Sequence, residues 1–453
     1  MEGIRRVILM LQALQNAMRL PDLRRKILFT LLILVIYRIA AHIPVPGVDL
    51  AALDAVFDPQ NASATSGILN LMNIFSGGAL ANFSVVAMGV YPYITGSIIM
   101  QLLTPLIPQL AALQKEGDQG RRRINQITHW ITIPLAFLQG VGQASIMANT
   151  SPPVLPGYNA LNMFNPTSPQ FVTTWAIMAT LVAGTMFALW LGELISEQGI
   201  GSGVSIIIFG GIVADIPTRL FQLATQSPVT LIIFLIITLI TIVGIVYLQE
   251  GQRRIPVQYG KRVRGMKVYG GGSTYIPLRV NSAGMIPLIF AVSILIFPAL
   301  IASFFQNAEP EWLRNFAVGV VNLFDTRSWF YALTYFLLVI AFTFFYTFIV
   351  FQQQNLAETL QNQGGFVPGI RPGPATTKYL NGVVMRITII GALGLGIIAV
   401  LPFLLSVISP SAQQTGDLII SSTGLLIVVG VVLDTMKQLE AQLMMRHYEG
   451  FIK

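Results

Sequence analysis

The chain has 453 residues, of which 54% are hydrophobic and only 10% charged, with a mean hydropathy of +0.69. Soluble domains carry about 25% charged residues, so a single water-facing globular surface is excluded and a polytopic membrane protein is indicated. The absence of cysteine excludes disulfides, thiolate metal sites and iron–sulfur clusters, and the net charge of +8 must be explained by where the basic residues lie.

Residues 1–26 read as an amphipathic cytoplasmic helix, with Gly3 to Leu20 lying on the membrane. Arg5 and Arg6 precede a short apolar stretch, but Gln12, Gln15 and Asn16 interrupt it and no small-residue cleavage site follows, so no cleavable signal peptide is expected. A bilayer core about 30 Å thick needs about 20 apolar residues as a helix. Ten spans are predicted, near 27–43, 79–103, 128–149, 171–194, 203–222, 229–249, 283–305, 330–351, 383–406 and 418–436. In the fifth, Asp215, Pro217 and Arg219 cut the apolar part short near Ala214.

With the N-terminus inside, 22 of the 27 Lys and Arg residues fall in inner segments and three in outer loops. This asymmetry places both termini in the cytoplasm. The basic inner face suits anionic lipid, each Lys or Arg near the surface contributing about 1 kcal/mol. Charges inside spans are few: Glu193, Asp434 and Arg386 sit near cytoplasmic ends, and Arg38 in the outer third of the first span. A secondary transporter, the alternative function class, would show midplane carboxylates.

No catalytic constellation emerges. Gly394-Leu-Gly396-Ile-Ile-Ala399 matches a loose dinucleotide pattern but lies inside a span with no preceding strand, and its small residues suit close helix packing. Gly201-Ser202-Gly203 lacks the rest of a serine hydrolase elbow. His42, His129 and His447 show no metal-ligand spacing and read as interfacial histidines.

Three segments stand out. Asn61 to Gly78, rich in Ser, Ala, Asn and Gly, is too short and polar to cross the bilayer; it predicts a compact helix, then a glycine hinge leading into a span that starts at Ala79. The inner loops 250–282 and 352–381 mix basic residues with turn-forming glycines. In the second, Pro368 and Pro372 place Arg371 on a rigid, exposed turn.

These strings, in this order, resemble the SecY/Sec61 translocon family, bacterial branch, over nearly the whole chain: Ile43-Pro44-Val45-Pro46-Gly47, Phe75 to Leu80, Gly117 to Ile124, Gly199 to Gly203, Gln252 to Ile255, Gly365 to Gly373 and Leu425 to Val429. The resemblance implies an all-α fold of two inverted five-helix halves, 27–222 and 223–436, around a central pore with a lateral gate, and a cytoplasmic tail over 437–453. It places a plug within 61–78, carried by Ile68, Leu71, Met72, Ile74, Phe75, Ser76, Gly77 and Gly78. It maps a pore ring onto Val90, Ile94, Val204, Ile208, Ile289 and Ile427, and lateral-gate polar positions onto Gln101 and Asn281. Lys261, Arg262 and Arg371 match docking positions for the ribosome or the SecA ATPase motor, with Met266-Lys267 standing where relatives often carry two arginines.

The implied function is the central channel of the Sec protein translocase in the bacterial plasma (inner) membrane. It would conduct unfolded secretory polypeptides passively and release transmembrane segments into lipid, with no cofactor, metal or catalytic residue. Its implied partners are the small membrane subunits SecE and SecG, SecA, the ribosome, signal peptides, nascent chains and anionic lipids.

Overall fold

The computed structural model describes residues 20–57, 69, 72–73, 76–150, 152–226, 228–259, 262–264, 267–269, 272–305, 310–325, 328–408 and 417–449. With no water at membrane depth, backbone polar groups must pair within the segment, and the α-helix does this. The apolar runs accordingly form α1 Pro21–Ala40, α2 Leu50–Phe57, α3 Tyr91–Leu106, α4 Pro108–Lys115, α5 Asp118–Ala148, α6 Phe171–Gln198, α7 Gly203–Gln226 and α8 Pro228–Glu250. Strands β1 Gln252–Tyr259, β2 Arg262–Arg264, β3 Lys267–Tyr269 and β4 Ser273–Arg279 follow. The remainder is α9 Ile286–Phe304, α10 Glu311–Leu323, α11 Trp329–Gln354, α12 Leu356–Asn362, β5 Gly365–Phe366, α13 Pro374–Ile408 and α14 Asp417–Glu449.

Among the described residues, four helices are long and apolar enough to cross a membrane: Asp118–Ala148, Phe171–Gln198, Trp329–Asn362 and Pro374–Leu401. Tyr91–Leu106 and Pro108–Gln114 pass the same test as a pair bent by 102°. The bend falls at Ile107, held extended (φ −99°, ψ 114°) by the proline after it. The protein is a multi-pass membrane protein, and several of its helices present exposed apolar faces. On α8, Ile232, Ile236, Leu239, Ile240 and Val243 are all exposed, a single stripe at helical spacing.

Three boundaries differ from expectation. Residues 79–90 are a chain of turns, so the span read from Ala79 begins as helix only at Tyr91; Gly89 (φ 53°) and Phe83 (φ 35°) take left-handed conformations that a helix cannot contain. Helix α1 starts at Pro21, so residues 21–26 continue into the first span, while 1–19 lie outside the described residues. Helix α7 runs unbroken through Asp215, Pro217 and Arg219 to Gln226.

The chain divides into two compact units, one comprising Met1–Ile232, Ile296–Ser328 and Thr415–Lys453, the other Ile233–Leu295 and Trp329–Gln414. Within the first unit α14 packs on α7. In the first unit, a Cβ on Gly424 would lie 3.3 Å from Ile212, and one on Gly201 3.1 Å from Thr435. The two helices therefore run antiparallel. Glycines also close α6 on its neighbours, since a Cβ on Gly184 would overlap the Val85 backbone and one on Gly203 would overlap Gly192.

In the second unit α13 packs along α11. Its glycines face their neighbours as small residues at helix contacts do, Gly394 toward Leu248 and Gly396 toward Phe336. β4, β1 and β5 form an antiparallel sheet in that order, Ile255 pairing with Ile276 and Tyr259 with Gly365, and β2 pairs with β3.

Gly184→Val is expected to cost about 1–3 kcal/mol through backbone overlap and to lower the thermal unfolding midpoint of the purified protein. Gly319→Ala on α10, where nothing lies within 4 Å, should leave the midpoint unchanged or raise it. Equal midpoints for the two variants would contradict the tight α6 contact.

Candidate functional site

The described part of the segment before α3 ends in a closed helix terminus. Ser76 and Gly78 N–H groups donate to the Met72 and Asn73 carbonyls at 2.9 and 2.8 Å, and Gly77 takes φ +65°, the pattern by which a helix ends on glycine. The Ser76 hydroxyl donates to Asn73 O and accepts from Leu80 N–H, both at 3.0 Å. Asn73 Oδ1 accepts from Ala81 N–H at 2.9 Å. Side chains of α1 bond two carbonyls here: Tyr37 Oη donates to Ser76 O at 2.6 Å, and Arg38 Nη1 to Gly77 O at 3.0 Å. Arg38 Nη2 also meets Asp215 Oδ1 of α7 at 3.1 Å. The backbones touch as well, for a Cβ on Gly211 would overlap Gly77.

Of the residues mapped onto the plug, Met72, Ser76, Gly77 and Gly78 lie in this arrangement, whereas Ile68, Leu71, Ile74 and Phe75 lie outside the described residues. Of the ring positions in the first unit, Val90, Ile94, Ile208 and Ile427 are buried and Val204 is half-buried. Val90 and Ile94 stand one turn apart at the start of α3. The antiparallel α7–α14 contact, Gly201 beside Thr435 and Ile212 beside Gly424, sets Ile208 and Ile427 at the same height. Ile289, on α9, belongs to the second unit and is buried.

The gate positions each keep a buried acceptor without a partner. Gln101 Nε2 donates to Ser97 Oγ at 3.2 Å and Asn281 Nδ2 to Gly284 O at 2.9 Å, while Gln101 Oε1 and Asn281 Oδ1 are unbonded. Such an atom favours any donor brought to it.

The two basic loops of the second unit share one apolar core. Ile255, Val257, Leu278, Leu360, Val367, Leu380, Val383 and Ile387 are buried against one another, which joins the β1–β4 hairpin to the turn carrying Arg371. Gly369 (φ 82°) and Gly373 (φ 105°) bracket that turn, Thr376 Oγ1 donates to Arg371 O at 2.9 Å, and Arg371 is exposed. A shallow cleft of about 560 Å³, lined by Glu358, Gln361, Thr377 and Lys378 among others, adjoins it. The Arg262 backbone lies in β2, and Lys261 and Met266 lie outside the described residues.

A family model described as SecY matches residues 84–436. The chain is 44% identical over 458 residues to Protein translocase subunit SecY of Halalkalibacterium halodurans, with 98% of this chain and 100% of that protein covered. The chain belongs to the SecY family. Solved structures of similar fold include a SecY protein whose plug domain is described as stabilising the closed state of the translocation channel, with a TM-score of 0.62, 18% identity and 92% of each chain covered. A second is Sec61 in the canine ribosome-channel complex from the endoplasmic reticulum, with a TM-score of 0.61, 17% identity and 92% of each chain covered.

Two contacts in this SecY chain are not legible as pairs in the sequence. Arg38 and Asp215, an outlying cation and a span breaker in the sequence, are joined in the structure. His129 Nε2 stands 3.1 Å from Glu193 Oε1, with Tyr93 tilted against its ring. Opposite charges within different spans are the signal that links the first pair. Among the described residues, no group of three or more His, Cys, Asp or Glu is placed to hold a metal ion.

Leu380→Ala should cost about 2–5 kcal/mol by opening a cavity in the shared loop core. Faster limited proteolysis and hydrogen exchange over residues 365–373 would report it, and protection equal to the parent would contradict the shared core.

Proposed function

We propose that this chain is the channel subunit of a protein translocase, conducting unfolded secretory polypeptides across the plasma (inner) membrane of a bacterium and releasing transmembrane segments laterally into lipid. Membership of the SecY family over nearly the full chain, at 44% identity to a named translocase subunit, is the observation that carries the reading. It is a channel and not an enzyme. Work comes from a partner, either the ribosome or the SecA motor, and SecE and SecG are the accompanying small subunits.

Within this reading the chain crosses the membrane ten times in two five-helix halves, both termini cytoplasmic, as the skew of Lys and Arg supports. Val90, Ile94, Val204, Ile208, Ile289 and Ile427 supply the collar. Aliphatic side chains dewet a narrow pore, so ions stop while a sliding polypeptide meets no polar group that would hold it. The segment from Asn61 to Gly78 is the plug, a role in keeping with the plug domain described for a SecY protein of the same fold.

A signal peptide's apolar helix enters at a gate lined by Gln101 and Asn281, whose free acceptors suit an exchange of partners. Lys261, Arg262 and Arg371 meet the motor or the ribosome. The exposed, doubly braced turn under Arg371 supports this, because a docking cation on a rigid support loses little conformational entropy on binding.

Deletion of Asn61 to Gly78 is expected to leave a folded, assembled translocase that leaks ions in proteoliposomes and exports proteins with defective signal sequences. Unchanged conductance and unchanged signal selectivity would overturn the plug assignment.

A further inference from the structure

We propose that Arg38 and Asp215, together with Tyr37, act as a clamp that positions the end of the plug and sets how often the resting channel opens. The proposal rests on the plug reading above and adds to it the residues that hold the plug shut.

One guanidinium serves two acceptors on different segments. Nη1 donates to Gly77 O at 3.0 Å and Nη2 to Asp215 Oδ1 at 3.1 Å. A planar fork suits this double task and an ammonium does not. Tyr37 Oη, one residue earlier on α1, holds Ser76 O at 2.6 Å.

The two carbonyls lie at a helix C-terminus, the negative end of the helix dipole. A cation is favoured there. Asp215 completes the balance, because an Arg inside a span needs a counter-charge, and the side chains of Arg38 and Asp215 are only 32% and 29% exposed.

Glycine at residue 78 leaves room for the clamp. A Cβ there would lie 2.9 Å from Arg38 Nη1 and 3.0 Å from Asp215 Oδ2, so any side chain would push the pair away from the Gly77 carbonyl. Residue 77 is likewise confined between Tyr37 and the α7 backbone, a Cβ meeting Tyr37 Cε1 and Gly211 Cα at 3.3 Å each.

Release of the plug end therefore breaks the bonds from Tyr37 and Arg38 to the plug but leaves the Arg38–Asp215 pair intact. The channel is held shut by a step that reverses without stranding a charge, and any change in the spacing of α1 and α7 weakens the grip.

The test uses the assembled translocase in proteoliposomes without substrate, reading resting opening frequency and ion leak. Arg38→Gln should raise both about tenfold, the scale of one lost charge-assisted hydrogen bond. Asp215→Asn should raise them by a smaller factor, since Arg38 still reaches Gly77 O. The double variant should match Arg38→Gln alone, because the two residues act through one contact. None of these variants should add leak once Asn61 to Gly78 is deleted.

Asp215→Asn and Tyr37→Phe are near-isosteric and carry the test if Arg38→Gln fails to assemble. Parent-like leak in all assembled single variants, with the deletion leaking, would overturn the clamp and spare the plug. Leak that adds to that of the deletion would also overturn it. A deletion without leak would remove the plug reading, and the clamp with it.

Discussion

At membrane depth there is no water to satisfy a free backbone N–H or C=O, and the non-helical parts of this protein exist only where some other group takes that place. The stretch from Ser76 to Val90 shows how. Its turns bond to one another, Val45 N–H reaches Phe83 O at 3.0 Å, Val85 N–H reaches Ile43 O at 2.9 Å, and Asn82 caps Ala41 O at 3.2 Å. The carbonyls of Ser76 and Gly77 are taken by Tyr37 and Arg38. The non-helical stretch is thus held by bonds of its own turns and by side chains of the neighbouring helix.

Glycine makes the approach of that segment possible. Gly77 and Gly211 bring a turn and a helix into backbone contact, and Gly184 does the same for α6 and Val85. In the second unit the same economy of side chains at Gly394 and Gly396 lets α13 approach its neighbours. The dinucleotide-like pattern there is thus a record of packing.

Most of the helices were legible as apolar runs, and α5, α6, α8, α11 and α13 contain the expected spans closely. The exceptions have physical causes. The run from Ala79 is apolar enough for helix, yet it is spent on turns because Gly78, Phe83 and Gly89 adopt positive φ, and hydropathy does not read dihedral angles. Helix α7 passes through Asp215, which meets Arg38, a partner 177 residues away. The pairing of β1 with β5 across two loops is hidden in sequence for the same reason. The string around Arg371 was readable as a rigid turn because proline and glycine act locally, whereas the apolar core beneath it depends on Leu360, Leu380 and Val383 arriving from other elements.

The central claim is that an aliphatic collar is the path of a polypeptide. A photoreactive residue in place of Ile94, in membrane vesicles engaged with a stalled secretory chain, addresses it most directly. The account predicts a crosslink to the translocating chain that requires both a functional signal sequence and ongoing translocation. A chain demonstrably engaged elsewhere on the translocase, with no crosslink at Ile94, would contradict it.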